Sequence, residues 1–213
     1  MSVFTISFSI GIPIYFRPFY YMQIEPLGIP EATGYTKDVI IDAYDEVLDF
    51  LTLPGGSFSA GAFKFTADGA SHFEDCKWLF TLNLFALIIS SLALAFIFVF
   101  YKRKRLTLIK PYGFSVGFYS GVLTLSLFLV LGLLVAVDFD RAFVVFHSLF
   151  FPGKDNWIFD PRYDQIILAM PEQFFMNCAI VIASSIIVIS LLLVALGIIG
   201  KRKNEAETHI TID

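Results

Sequence analysis

Three long stretches of the chain carry no charged residue: Leu79 to Tyr101, Pro111 to Val137 and Phe174 to Gly200. A bilayer core of ~30 Å takes ~20 helical residues, so each can cross it as an α-helix. A fourth apolar stretch runs only from Ser2 to Phe16 and contains Pro13. It is short for a span, and Arg17 follows at once; that arginine can snorkel to the interface beside Phe19, Tyr20 and Tyr21. A secretory signal peptide is the rival reading, but a basic leading region and an evident small-residue cleavage site are lacking. The segment 1–22 is therefore read as a first transmembrane helix, whose cytoplasmic end the given start clips.

Between the apolar stretches the pattern changes period. "TKDVIIDAYDEVLDFL" places Val39, Ile40, Ala43, Tyr44, Val47, Leu48 and Leu51 at helical spacing, with Thr36 as N-cap, Asp38 in the first turn and Pro54-Gly55-Gly56 as the stop. Its polar face is acidic, which disfavours adhesion to an anionic membrane surface, so its apolar face is read as packing within a small cap. "SFSAGAFKFT" alternates in part, with Phe63 and Phe65 on one side, and reads as a short strand or hairpin. Further on, Phe139, Phe143, Phe146 and Phe150 keep helical spacing, so the third span is read as continuing outward as an aromatic-faced helix until Pro152-Gly153. A loop carrying Trp157, Asp160, Arg162 and Asp164 follows, and Pro171 leads into the last span.

The expected fold is thus an all-α polytopic membrane protein: four transmembrane helices at 1–22, 78–101, 111–138 and 174–200, and a small cap of one helix plus short strands. Basic residues set its orientation. Lys102 to Arg105 and Lys110 fill the loop 102–110, and Lys201 to Lys203 open the tail 201–213. Positive loops stay in the cytoplasm, so both termini are expected there and the segments 23–77 and 139–173 outside. Composition agrees: 57% of the 213 residues are hydrophobic and 25 are phenylalanine, more than a water-soluble surface can hide. The net charge of −4 is too unevenly spread to name a partner, and nothing suggests nucleic acid. Two cysteines make neither a disulfide framework nor a metal cluster.

Candidate chemistry then narrows to two histidines. His72 lies just before the second span and His147 just after the third, so topology puts both at one membrane–water boundary. Imidazole exchanges a proton near neutral pH, which suits chemistry on a lipid ester or a lipid-anchored group. Asp75, three residues after His72, can reach that imidazole and fix its tautomer. Phe143, Phe146 and Phe150 with Trp157 read either as an interfacial aromatic belt or as the wall of a pocket, and the buried-type charges nearby favour the pocket. Each histidine also has a plain packing reading. A metal held by both histidines with Asp75 or Asp160 has no supporting HExxH or paired-cysteine spacing. Cys76 beside His72 reads as an inert thiol rather than a nucleophile, and no serine sits in a Gly-x-Ser-x-Gly elbow. Gly113, Gly117 and Gly121 recur every four residues and read as a close-packing edge. Asn83 and Asn177 read as interhelical hydrogen-bonding groups, with Asn177 also placed to face the pocket. His209 reads as a solvated tail residue.

The stretch "DFDRAFVVFHSLFFPGKDNWIFDPRYDQIILAMPEQFF", with "HFEDCK" ahead of the second span, resembles the lipoprotein intramolecular transacylase family of low-GC Gram-positive bacteria. The likeness covers most of the chain; "HFEDCK" follows an HxxDVK-like motif, with Cys76 where valine is common. The resemblance implies a multi-pass cell-membrane enzyme that needs no cofactor. Its substrate would be a diacylglyceryl lipoprotein drawn from the membrane lipids. It would move the sn-2 acyl chain onto the α-amino group of the N-terminal cysteine and leave a lyso-form lipoprotein. The family's catalytic histidines carry over onto His72 and His147. One imidazole would then take the amine proton and the other supply the glyceryl oxygen, with His72 preferred as base because Asp75 can orient it. A histidinium, Trp157 or Arg162 would steady the oxyanion. The alternative from another class is a non-enzymatic receptor or assembly factor whose cap binds a partner.

Overall fold

The computed structural model describes residues 1–210, and the side chains of these apart from 204 and 207–210, so the expectation for His209 lies outside the described residues. Among the described residues the chain is all-helical: α1 Ser2–Tyr15, α2 Pro18–Tyr21, α3 Ile29–Thr33, α4 Lys37–Thr52, α5 Ala67–Lys102, a 3-10 turn Pro111–Gly113, α6 Val116–Val137, α7 Phe139–Phe150, α8 Ile166–Ala169 and α9 Glu172–Ile210. Helices α5, α6 and α9 are long and apolar enough to cross a membrane. The apolar α1 has 14 residues with Pro13 inside, about 21 Å at 1.5 Å per residue, which is short of a full crossing. In α5 the charge-free part is 78–101; its opening turns carry Asp68, Glu74, Asp75 and Lys77.

Contacts divide the chain into two units. One comprises residues 1–9, 85–136 and 182–213. Its side chains are mostly apolar, so close contact and a few hydroxyl pairs hold the helices together. The hydroxyls of Ser2 and Ser120 are 2.8 Å apart. Of the three spaced glycines, Gly121 makes the close approach: a methyl there would meet the Ser190 carbonyl oxygen at 2.7 Å. Gly117 faces only the pliable Met1 side chain, and Gly113 sits in the 3-10 turn at φ +82° rather than on the helix edge. Gly121→Val is therefore expected to cost about 1–3 kcal/mol through overpacking, lowering the thermal midpoint of the purified protein in detergent. Gly132→Ala, with open space around the same helix, should leave it unchanged.

The second unit comprises residues 10–84 and 137–181, and it holds a true core. The predicted stripe of α4 is buried from Ile40 to Leu51, with Val39 half-buried at its edge. Thr36 is the N-cap residue, but its side chain makes no capping bond. Helix α8 packs on α3 and α4. Tyr20 is fully buried, stacks on Tyr44 at 3.7 Å and donates to the Ala169 carbonyl at 2.7 Å, so it is a core residue rather than part of an interfacial belt. Arg17 does not snorkel; it pairs with Asp45 at 3.1 Å and with Asp49.

Two further expectations are corrected. "SFSAGAFKFT" is not a strand: Gly61 takes φ +56°, Phe63 N–H turns back to the Ala60 carbonyl, and side chains take up other backbone groups. Glu46 accepts from Gly61 N–H at 3.0 Å, and Gln165 accepts from Lys64 N–H at 3.0 Å, so no edge is left to pair. Phe58, Ala60 and Phe63 are buried whereas Phe65 is exposed. Helix α6 also does not run on into α7. Asp138 is extended, at φ −155° and ψ 92°, and its carboxylate accepts from Arg141 N–H, which starts a new helix by N-capping it.

Candidate active site

The site is built where the start of α5 meets α7 and the turn after it. Thr66 precedes α5 and its hydroxyl accepts from Gly69 N–H at 3.0 Å, the N-cap bond. Asp164 locks this cap from the far loop: it accepts from Thr66 N–H at 2.7 Å and from the Thr66 hydroxyl at 2.9 Å. It is itself buried, and its negative charge suits a helix N-terminus. Gly69 makes the approach possible, because a methyl there would overlap Asp164 Oδ1. One turn on, this anchored helix presents His72.

His147 comes from α7. Its Nδ1 lies 2.8 Å from the Phe143 carbonyl, which can only accept, so Nδ1 carries the proton and Nε2 presents its lone pair. The two imidazoles converge, with ring centroids 5.7 Å apart and both side chains buried. Aromatic rings close around them. Trp157 stacks on His147 at 4.5 Å and Phe143 lies at 4.2 Å, while Phe151 sits 4.9 Å from His72 and 5.7 Å from His147. Phe159 adds a further wall 5.5 Å from His72.

This enclosure disfavours charge. Burial first, then the neighbouring His147, pushes His72 down from 6.5 to about 4. His147 is lowered too, by burial, against the opposing pull of its bond to Phe143. Both imidazoles are thus neutral at pH 7, the form a general base needs. For stability the sign is fixed: the unfolded chain takes up protons from about pH 6.5 downward, and folded His72 refuses them until about 4. Stability from this residue is complete above pH 6.5 and lost as pH falls through that window. Thermal unfolding in detergent should drop more steeply between pH 6.5 and 4.5 for the wild type than for His72→Phe.

Asp75 does not orient His72. Its carboxylate accepts from Lys154 Nζ at 2.6 and 2.7 Å and from Asn156 Nδ2 at 3.1 Å. Burial raises its pKa, but these bonds and the Lys154 charge outweigh that and hold it low. His72 Nδ1 is buried with no partner, and its Nε2 lies 3.4 Å from Cys76 Sγ. Cys76 is a free thiol whose burial pushes its pKa up to about 12, which disfavours the nucleophilic thiolate.

The other predicted residues divide. Phe146 and Phe150 are half-exposed on α7, Phe146 at 5.4 Å from His147 and 4.7 Å from Phe150. Trp157 gives its N–H to the Lys154 carbonyl at 3.0 Å, so it contributes a ring rather than an oxyanion donor. Arg162 is exposed and bound to Asp160 at 2.5 Å, which leaves it no oxyanion role. Asn177 donates to Gln23 at 2.6 Å and accepts from Gln173 at 3.0 Å instead of facing the histidines. Among the described residues no three His, Cys, Asp or Glu side chains are grouped as for a metal ion.

Sequence reasoning missed Lys154, Asn156, Phe151, Phe159, Thr66 and Gly69. The signal for the first two was Pro152-Gly153, a reversal that returns the following residues along α5. A hollow of about 170 Å³ lies beside the pair, bounded by Asp75 and Lys154 on its polar side and by Trp78, Leu79, Phe150, Phe151 and Pro152.

Comparison with known proteins bears on this geometry. The sequence profile described as lipoprotein intramolecular transacylase Lit matches residues 1–175. The solved structure of the membrane integral lipoprotein intramolecular transacylase Lit from Bacillus cereus is similar, with a TM-score of 0.83 at 27% identity, covering 96% of this chain and 93% of that one. Two structures of that protein with one histidine replaced, by arginine or by alanine, each give a TM-score of 0.77 at 26% identity; they cover 97% and 96% of this chain and 89% and 90% of theirs. No curated protein sequence matches the chain.

Proposed function

The chain belongs to the lipoprotein intramolecular transacylase family, and from that premise we propose a specific reaction. The substrate is a lipoprotein whose N-terminal cysteine carries a diacylglyceryl thioether. The α-amino nitrogen attacks the sn-2 ester carbonyl; the new N–C bond forms, the acyl C–O bond breaks, and the glyceryl oxygen takes up a proton. The product is an N-acylated lyso-form lipoprotein.

The single observation that carries this reading is the meeting of two neutral, buried imidazoles, 5.7 Å apart, inside an aromatic enclosure. His147 Nε2 serves as the base, because its tautomer is set by the bond from Nδ1 to Phe143. His72, with Nδ1 unpartnered, exchanges the proton with the glyceryl oxygen. This reverses the order suggested by an Asp75–His72 contact. No stored histidinium is needed, since the proton removed from the amine is the one the leaving oxygen requires. Nucleophile and ester belong to one molecule, so positioning replaces an acyl-enzyme. The rings of Phe143, Phe151 and Trp157 keep hydrolytic water from the ester.

In the membrane we place four spans at 1–22, 78–101, 111–138 and 174–200, with the loop 102–110 and the tail 201–213 in the cytoplasm. The segments 23–77 and 139–173 then form an extracytoplasmic cap that carries the histidines. The basic runs at Lys102 to Arg105 and Lys201 to Lys203 support this orientation, and the buried core of the second unit supports the cap.

Expression in a bacterium whose lipoproteins keep a free α-amino group tests the reaction. N-terminal lipopeptides should shift to the lyso form, with the acyl fragment on nitrogen. An unchanged lipopeptide profile from well-expressed protein contradicts it.

A further inference from the structure

Resting on that transacylase reading, we propose that the hollow beside the histidine pair receives the ammonium group of the incoming lipoprotein's N-terminal cysteine, and that Lys154 is the resident cation it displaces from Asp75. Three observations converge. Asp75 lines the hollow with its carboxylate, one helical turn along α5 from His72. That carboxylate already holds an ammonium, Lys154 Nζ, at 2.6 and 2.7 Å from its two oxygens. Asn156 steadies the same carboxylate at 3.1 Å without consuming its charge.

The exchange is easy. Lys154 is 47% exposed, and an ion pair of that kind contributes little, so the lysine can swing to water on its long stem. A free α-amino group has a pKa of about 7.7–8.0, so most substrate molecules arrive as ammonium at pH 7. The rest of the wall is apolar. Trp78, Leu79 and Phe150 suit the glyceryl and first acyl carbons, and Phe151 separates the hollow from both imidazoles.

The chemistry then supplies a release step. The ammonium loses two protons in becoming an amide N–H. One ends on the glyceryl oxygen as the acyl C–O bond breaks and the N–C bond forms; the other leaves to water. The product nitrogen carries no charge, Asp75 loses its ligand, and Lys154 returns to it.

The test uses two synthetic diacyl lipopeptides with ether-linked chains, so neither can react, identical except for a free or an acetylated N-terminus. Binding to the purified protein in lipid nanodiscs is measured for wild type, Asp75→Asn and Lys154→Met. The wild type should prefer the free amine by about tenfold or more, the scale of a charged hydrogen bond. Asp75→Asn should bring the ratio near one. Lys154→Met, which keeps the carboxylate and removes the competitor, should widen it. A wild-type ratio near one, an Asp75→Asn ratio equal to wild type, or a narrowed ratio in Lys154→Met overturns the proposal. Turnover of the ester-linked free amine by wild type reports separately on the transacylase reading.

Discussion

His147→Ala is expected to slow transacylation of a defined diacylglyceryl lipopeptide by about 10²–10⁴-fold, the usual contribution of a positioned acid–base group. The physical reason is narrow. His147 Nε2 is the one basic nitrogen of the pair whose tautomer the backbone sets, through the 2.8 Å bond from Nδ1 to Phe143. His147→Asn separates chemistry from packing: its amide can still donate toward the Phe143 carbonyl, but it offers no base. That variant should fold as well as the wild type and be as slow as the alanine variant. His72→Ala should be similarly slow. Should either position tolerate alanine at full rate, that histidine has no part in the proton transfer.

Gly69→Ala is expected to be the most damaging single methyl. It would force the buried Asp164 off the Thr66 backbone and hydroxyl, which it now accepts from at 2.7 and 2.9 Å. Hydrogen bonds to a charged group are worth about 1.5–3 kcal/mol each, so a loss of about 3 kcal/mol is expected, read as a lower thermal midpoint in detergent. Activity should fall as well, because this clamp fixes the turn of α5 that presents His72. The effects of Gly69→Ala and Asp164→Ala should overlap: the double variant should be little worse than Asp164→Ala alone. Fully additive losses would show that the clash is relieved elsewhere.

The sequence carried the architecture where the physics is local. Charge-free runs of spanning length reappear as the apolar parts of α5, α6 and α9, and the 3.6-residue stripe from Ile40 to Leu51 reappears as the buried face of α4. Pro152-Gly153 and Pro171 bound helices as expected, because proline and glycine act on their own backbone. What stayed hidden is long-range. Asp75 looked like a partner for His72 at helical spacing, yet the better partner, Lys154, arrives from 79 residues away. Trp157 and Arg162 looked like donors, but their N–H groups satisfy local acceptors first, the Lys154 carbonyl and Asp160. Asp164 was legible as a charge in a loop, while its role as a helix clamp depends on Gly69 lacking a side chain. The partial alternation around Phe63 failed because a strand needs a neighbour, and side chains of Glu46 and Gln165 had already taken the free backbone groups.

An isotope-crossover measurement tests the central claim most directly. Two diacylglyceryl lipopeptides, one with an unlabelled peptide and chains and one with both labelled, are mixed and incubated with the purified protein. Acyl transfer within one molecule is an isomerisation, so each intact mass must stay constant while the acyl fragment moves from the glyceryl group to its own nitrogen. The account predicts N-acylated products with matched labels only, formed by wild type and not by His147→Ala. Products pairing a labelled chain with an unlabelled peptide, or released fatty acid in place of an N-acyl product, would contradict it.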